Sequence, residues 1–214
     1  MILSYKYNFI YFKATKVAGT STEILLSDLC DEKDMVTPIS RGDSSTHRAR
    51  NYKRFGLVFA NHCLPKLVAT SDPALFKNSF KFMTTRNPWD RCVSAFWWQR
   101  RYDKNLKFPD FVTNLAQGVG GGIGPSLRRP LVSWATIDGK IIIDDFVRYE
   151  NLEEDTLRIF KKFFNITQLN FPVTKAQYRK EKKHYTEYYD DCTRGMVAEK
   201  YAKDIEYFGY EFGE

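Results

Sequence analysis

Apolar and polar positions along the chain divide it into a small set of predicted elements. The apolar run Phe9-Ile-Tyr-Phe12 reads as a buried strand. A short loop follows, and Thr20-x-x-Glu23 has the form of a capping box, so a helix is expected from there through Ile24, Leu25 and Leu29. Leu57-Val-Phe-Ala60 predicts a second short strand, and Phe80-Lys-Phe-Met-Thr-Thr85 a third. After the third strand, Asn87 is a good N-cap and Pro88 suits the first helical position, predicting a helix to about Tyr102. On it Asn87, Asp90, Arg91 and Ser94 share one face, and Trp89, Val93, Phe96 and Trp97 another. Further helices are predicted over Phe108–Leu115, Glu153–Phe164 (with Leu157, Phe160, Phe163 and Phe164 inward) and Asp190–Tyr201.

The intervening stretches are polar. Residues 31 to 56 have no period; Ser40 to Arg50, which includes His47, reads as a solvated charged loop, and Arg41-Gly-Asp43 within it carries little weight as an adhesion signal. Gln117 to Pro125 holds five glycines in nine residues without the strand and helix of a dinucleotide fingerprint, and reads as a loop beside Arg128, Arg129 and Trp134. Residues 165 to 184 form a basic connector.

Composition narrows the class. At 214 residues, 43% hydrophobic and 16% aromatic, the chain is expected to fold as a single domain spanning 1–214. A net charge of +7 favours anionic partners without choosing among them. Cys30, Cys63, Cys92 and Cys192 are scattered, with no metal-ligand spacing, and are expected to be reduced thiols. No stretch has the length of a membrane span and the N-terminus lacks an apolar signal core, so a cytoplasmic location is the expectation and Asn165-Ile-Thr167 is read as a chance sequon.

The candidate chemistry sits where the first strand meets its helix. A strand, a small-residue loop and a helix N-terminus together make an anion site, because first-turn amides and the positive end of the helix dipole face the loop. Lys16 adds a positive charge, Ala18 and Gly19 allow close backbone approach, and Thr20, Ser21 and Thr22 add hydroxyl donors. The order differs from the triphosphate loop G-x-x-x-x-G-K-[ST], since Lys16 precedes Gly19 instead of following it.

Lys16-x-x-Gly-Thr-Ser21 resembles the 5′-phosphosulfate loop of sulfotransferases that use 3′-phosphoadenosine-5′-phosphosulfate (PAPS), in the form of the carbohydrate-modifying branch. Arg86-x-Pro-x-x-Arg-x-x-Ser94, following a strand, resembles the family's 3′-phosphate site. His62-x-Leu-Pro65 resembles the segment carrying its catalytic base. Arg148-Tyr-Glu-Asn-Leu152 after a strand, and Asp204 to Tyr210, resemble its mid-chain and terminal segments. The resemblance implies a parallel α/β sheet flanked by helices, as in nucleotide kinases, with ligands at the C-terminal strand ends.

It also implies roles. His62 and Lys16 would be catalytic; Lys16, Val17, Ala18, Gly19, Thr20, Ser21, Arg86 and Ser94 would bind PAPS and its product PAP; no metal is required. Tyr149 and Glu150 would be architectural. Where family members have Arg-Lys-Gly late in the chain, this one has Arg179-Lys180-Glu181, which leaves that contact open. A hydroxyl acceptor on a saccharide is expected, with no nucleic acid partner. Two other readings remain: a small-molecule kinase, which would need the missing Gly-Lys-[Ser/Thr], and a non-catalytic module binding nucleic acid or other polyanions.

Overall fold

A computed structural model describes residues 1–40, 46–119, 125–169, 179–181 and 183–214. Arg41-Gly-Asp43 and the centre of the glycine-rich stretch lie outside them. The chain divides into two compact units, Met1–Thr85 with Ala135–Thr174, and Arg86–Trp134 with Lys175–Glu214.

The first unit carries the sheet. Its five strands are β1 (Ile2–Ser4), β2 (Phe9–Phe12), β3 (Met35–Val36), β6 (Phe80–Thr85) and β9 (Asp145–Arg148), in the order β3-β1-β2-β6-β9. The expected α/β class holds, and β2, β6 and β9 are parallel, with Phe9 opposite Phe80 and Phe82 opposite Asp145. The sheet is nevertheless mixed. β1 turns back tightly into β2 and pairs antiparallel, and β3 pairs antiparallel with β1. A short connection can only join antiparallel neighbours, and Tyr5 to Asn8 is too short for a crossover.

Three helices in this unit matter for the site. α1 spans Gly19–Ser27, α2 spans Pro65–Ser71 and α3 spans Pro73–Asn78. A fourth, α8 (Leu152–Phe164), follows β9 through a single 3₁₀ turn at Tyr149–Asn151. Ile2, Phe9, Tyr11, Leu26, Phe82, Val147, Ile159 and Phe160 pack into one apolar core. Burying such side chains is worth about 1.5–3 kcal/mol each. Phe163, expected inward, is exposed, and its ring stacks on Phe80. Leu57-Val-Phe-Ala60 is not a sheet strand: β5 (Leu57–Val58) forms a separate hairpin with β4 (Lys53–Arg54). A second small hairpin joins β7 (Thr136–Ile137) to β8 (Lys140–Ile141).

The second unit is helical, with α4 (Pro88–Gln99), α5 (Phe108–Gln117), the short α6 (Pro125–Arg128) and α7 (Leu131–Trp134), α9 (Asp191–Lys200) and α10 (Ala202–Phe208). Asn87 caps α4 by accepting from the Trp89 amide, as its sequence position predicts. Asp190 caps α9 through the Thr193 amide. Trp89, Val93, Phe96, Trp97, Phe111, Leu115 and Tyr201 are buried together.

Candidate active site

The loop from Lys13 to Ala18 leaves β2 and enters α1. Its backbone turns left-handed at Lys16 (φ 67°) and again at Ala18 (φ 59°), a conformation that side chains other than glycine adopt at a cost. Val17 between them is buried. The expected capping box is absent. Ala18, not Thr20, occupies the N-cap, and it has no side chain to close the first-turn amides of α1. Thr20 and Ser21 lie in that first turn, 8% and 7% exposed.

Glu23 turns inward instead of back to the helix start. It is fully buried, and its two oxygens take Lys13 Nζ at 2.6 Å and the Met1 amine at 2.8 Å. Thr37 Oγ1 donates to it at 2.8 Å. Burial opposes a charge on Glu23, but the N-terminal ammonium, His47 and Lys13 hold its carboxyl well below the usual range. Gly19 serves this packing more than ligand approach. A Cβ there would stand 2.6 Å from Lys13 Cγ and 3.3 Å from the Tyr11 hydroxyl.

His62 does not follow a sheet strand; it follows the β4–β5 hairpin and precedes α2. It reaches the same loop from that side, with Nδ1 3.0 Å from the Lys13 carbonyl, three residues before Lys16. That contact leaves Nε2 as the ring's other nitrogen. Crowding by protein atoms lowers the His62 pKa to about 4, with help from the Lys13 and N-terminal charges and against the bond to the Lys13 carbonyl. The ring is therefore neutral at pH 7, as a proton acceptor must be. Beside it, Asn61 has a buried Oδ1 with no hydrogen-bond partner among the described residues. His47 is not in a merely solvated loop: its side chain is 3% exposed, with Nε2 3.9 Å from Glu23 Oε1.

Arg86 and Ser94 belong to the second unit. Arg86, directly after β6, is 7% exposed and gives Nε and Nη2 to Asp90 Oδ2 at 2.9 and 2.7 Å. The other oxygen of Asp90 accepts from Arg179 Nη1 at 3.3 Å. Asp90 thus lies between two guanidiniums, and the segment Arg179-Lys180-Glu181 brings its arginine to the Arg86 site although the family's glycine is missing. Ser94 is half-buried one turn further along α4. Arg91, placed by periodicity on the polar face, is fully buried, 3.9 Å from Asp204. Asp204 also accepts the Leu131 and Val132 amides at 2.7 and 2.8 Å, fixing the start of α7.

The third histidine and three of the tryptophans have structural surroundings. His184 bonds Thr186 Oγ1 at 2.8 Å and caps a 3₁₀ turn at Tyr185–Tyr188. Trp89, Trp97 and Trp134 are core residues, so three of the four tryptophans have no face for a sugar. Among the described residues no three His, Cys, Asp or Glu side chains are grouped to hold a metal, and no helix is long and apolar enough to cross a membrane. The four cysteines are free thiols.

Comparison with known proteins gives the family and the fold. The sulfotransferase family model matches residues 1–211, so the chain belongs to the sulfotransferase family. An uncharacterized protein of Archaeoglobus fulgidus is 33% identical over 111 residues, covering 50% of this chain and 88% of that one. A crystal structure of a sulfotransferase from Alicyclobacillus acidocaldarius superposes with a TM-score of 0.50 at 12% identity, over 96% of each chain; it shows the shared fold. Family membership supports a transferase of sulfuryl groups as the general class.

Proposed function

We propose that this protein transfers a sulfuryl group from PAPS to an acceptor hydroxyl on a saccharide, leaving PAP. The observation that carries the reading is the Lys16–Ser21 loop. It turns left-handed twice and enters α1 without a capping side chain, which suits a bound oxyanion. The donor set fits PAPS. Lys16, the Val17 to Ser21 backbone amides and the Thr20 hydroxyl would hold the 5′ side, and Arg86 and Ser94 the 3′-phosphate. PAPS supplies a sulfur centre already activated for transfer.

What the chain adds is position and charge. His62, neutral and anchored through Nδ1, would accept the acceptor's proton at Nε2. Lys16 would balance the negative charge that grows on the departing phosphate oxygen. The saccharide acceptor rests on the form of the Lys16-x-x-Gly-Thr-Ser21 loop alone, since the buried tryptophans lend it nothing. Calorimetric titration with PAP, with ATP and magnesium, and with a generic oligonucleotide tests the reading. Selective binding of PAP is expected; equal heats for ATP and PAP, or binding of the oligonucleotide alone, would overturn it.

A further inference from the structure

The β4–β5 hairpin is not explained by sulfuryl transfer. Its turn places Phe55 (φ 56°) and Gly56 (φ 70°) in left-handed conformations. This is the geometry of a tight hairpin turn that favours Asn-Gly; a bulky aromatic there is an outlier. Phe55 is 47% exposed, Leu57 39% and Val58 64%, with Leu64 38% exposed nearby. Apolar side chains held outward against local preference call for a partner.

Charge identifies that partner. From Thr46 to Ser71 the chain has Arg48, Arg50, Lys53, Arg54 and Lys66 and no acidic residue. Lys53 pairs across the hairpin with Val58, and Arg54 with Leu57, so each rung joins a cation to an aliphatic side chain. The Arg54 guanidinium is braced 4.8 Å from the Tyr5 ring and 5.1 Å from Phe55. Phe59 is buried beneath and anchors the hairpin, its amide donating to the Tyr52 carbonyl at 2.7 Å. Carboxylates nearby include Glu32, across a shallow groove shared with Arg54, Asp138, 3.7 Å from Lys66, and Asp72 and Asp34, which accept from the Tyr5 hydroxyl and amide at 2.7 Å. None of them is on the hairpin.

We propose that this hairpin docks the protein on an anionic lipid surface. Phe55, Leu57 and Val58 enter the boundary between headgroups and acyl chains, while Lys53 and Arg54 stay at the level of the lipid phosphates. A neutral apolar partner would leave the cations uncompensated, and a purely anionic one would leave the apolar tip in water.

Sedimentation of the full chain with vesicles tests this without any sulfuryl transfer. The probes are vesicles of phosphatidylcholine alone and of phosphatidylcholine with an equal part of phosphatidylserine. Pelleting is expected with the anionic vesicles at low salt, weakening as salt rises, with little on the neutral ones. The double variant Phe55→Ser with Val58→Ser should bind at least about tenfold more weakly at unchanged melting temperature. Should that variant melt early, Lys53→Gln, exposed on the same rung, must still weaken binding. Absence of pelleting at low salt, equal pelleting on both vesicle types, or undiminished binding by both variants overturns the proposal. So does self-association in light scattering that Val58→Ser abolishes while vesicle binding persists.

Discussion

Arg86 and Asp90 are one helical turn apart, and the guanidinium places both Nε and Nη2 on a single carboxylate oxygen, at 2.9 and 2.7 Å. The contact fixes the planar fork of Arg86 in one orientation. A ligand phosphate approaching Arg86 therefore meets an aligned arginine and an internal carboxylate together. If Arg86 reads the 3′-phosphate, Arg86→Ala should weaken PAP binding by about 1.5–3 kcal/mol, the worth of a charged hydrogen bond. Adenosine 5′-phosphosulfate, which lacks that phosphate, should lose almost nothing. Equal losses for both ligands in calorimetry would remove Arg86 from the 3′-phosphate site.

Asp90 should act in the opposite direction. It neutralises part of the charge of Arg86 and of Arg179, whose Nη1 lies 3.3 Å from its other oxygen. Asp90→Asn keeps the shape and removes that counter-charge. PAP affinity at low salt should rise above wild type and fall more steeply as salt is added, because screening then acts on a more positive site. A variant that binds PAP more weakly at every salt concentration would mean that Asp90 matters chiefly for holding Arg86 in place.

The Lys13–Glu23 pair predicts a stability effect at the root of the loop. Both side chains are buried, 2.6 Å apart. Glu23→Gln removes the buried carboxylate that holds both Lys13 Nζ and the Met1 amine, so it should cost about 3–5 kcal/mol in denaturant unfolding. The Glu23 carboxyl is held below its usual pKa, so its contribution is present above pH 4.5 and lost as pH falls toward the folded value. Glu23→Gln should accordingly flatten the acid side of the stability profile. Gly19→Ala should destabilise independently, by about 1–3 kcal/mol, because its Cβ would collide with Lys13 Cγ. Wild-type stability in both variants would show that the buried pair does not organise the loop.

Legibility from sequence followed the reach of each signal. Strand β6, the Asn87–Pro88 start of α4 and the α/β class were legible because apolar runs and caps act within a few residues. The loop motif was legible as an ordered set, yet Thr20 and Glu23 misled. A capping box and a buried ion pair use the same residue types, and only the tertiary partners Lys13 and Thr37 distinguish them. The run Leu57 to Ala60 looked like a sheet strand because apolar content does not tell a core from an exposed hairpin. Asp90 with Arg179, and Arg91 with Asp204, join positions about a hundred residues apart, and no local pattern carries such a pairing. Arg179 did leave a trace, as the first residue of an incomplete motif.

His62 and Lys16 should fail differently when removed. His62 is tied to the Lys13 carbonyl, and its proposed task concerns the acceptor. His62→Ala should leave PAP affinity nearly intact and lower kcat by about 10²–10⁴, the range for a lost general base. Lys16→Ala should lower kcat and weaken PAP as well, since Lys16 would touch the phosphosulfate itself. His184→Ala, at a surface 3₁₀ cap, is the control and should change neither; His47, packed against Glu23, cannot serve. The pH profile gives a separate check. With a pKa near 4 in the folded protein, His62 loses its proton below neutrality, so kcat/KM should rise from about pH 4 to a plateau. Bound phosphosulfate adds negative charge, which favours the protonated ring, so the acid limb of kcat should lie at higher pH than that of kcat/KM. The unfolded chain binds this proton near pH 6.5 and the folded chain only near 4, so stability also falls as pH drops through that window. Full turnover in His62→Ala, or an acid limb that survives the substitution, would place the proton elsewhere and withdraw His62 from the mechanism.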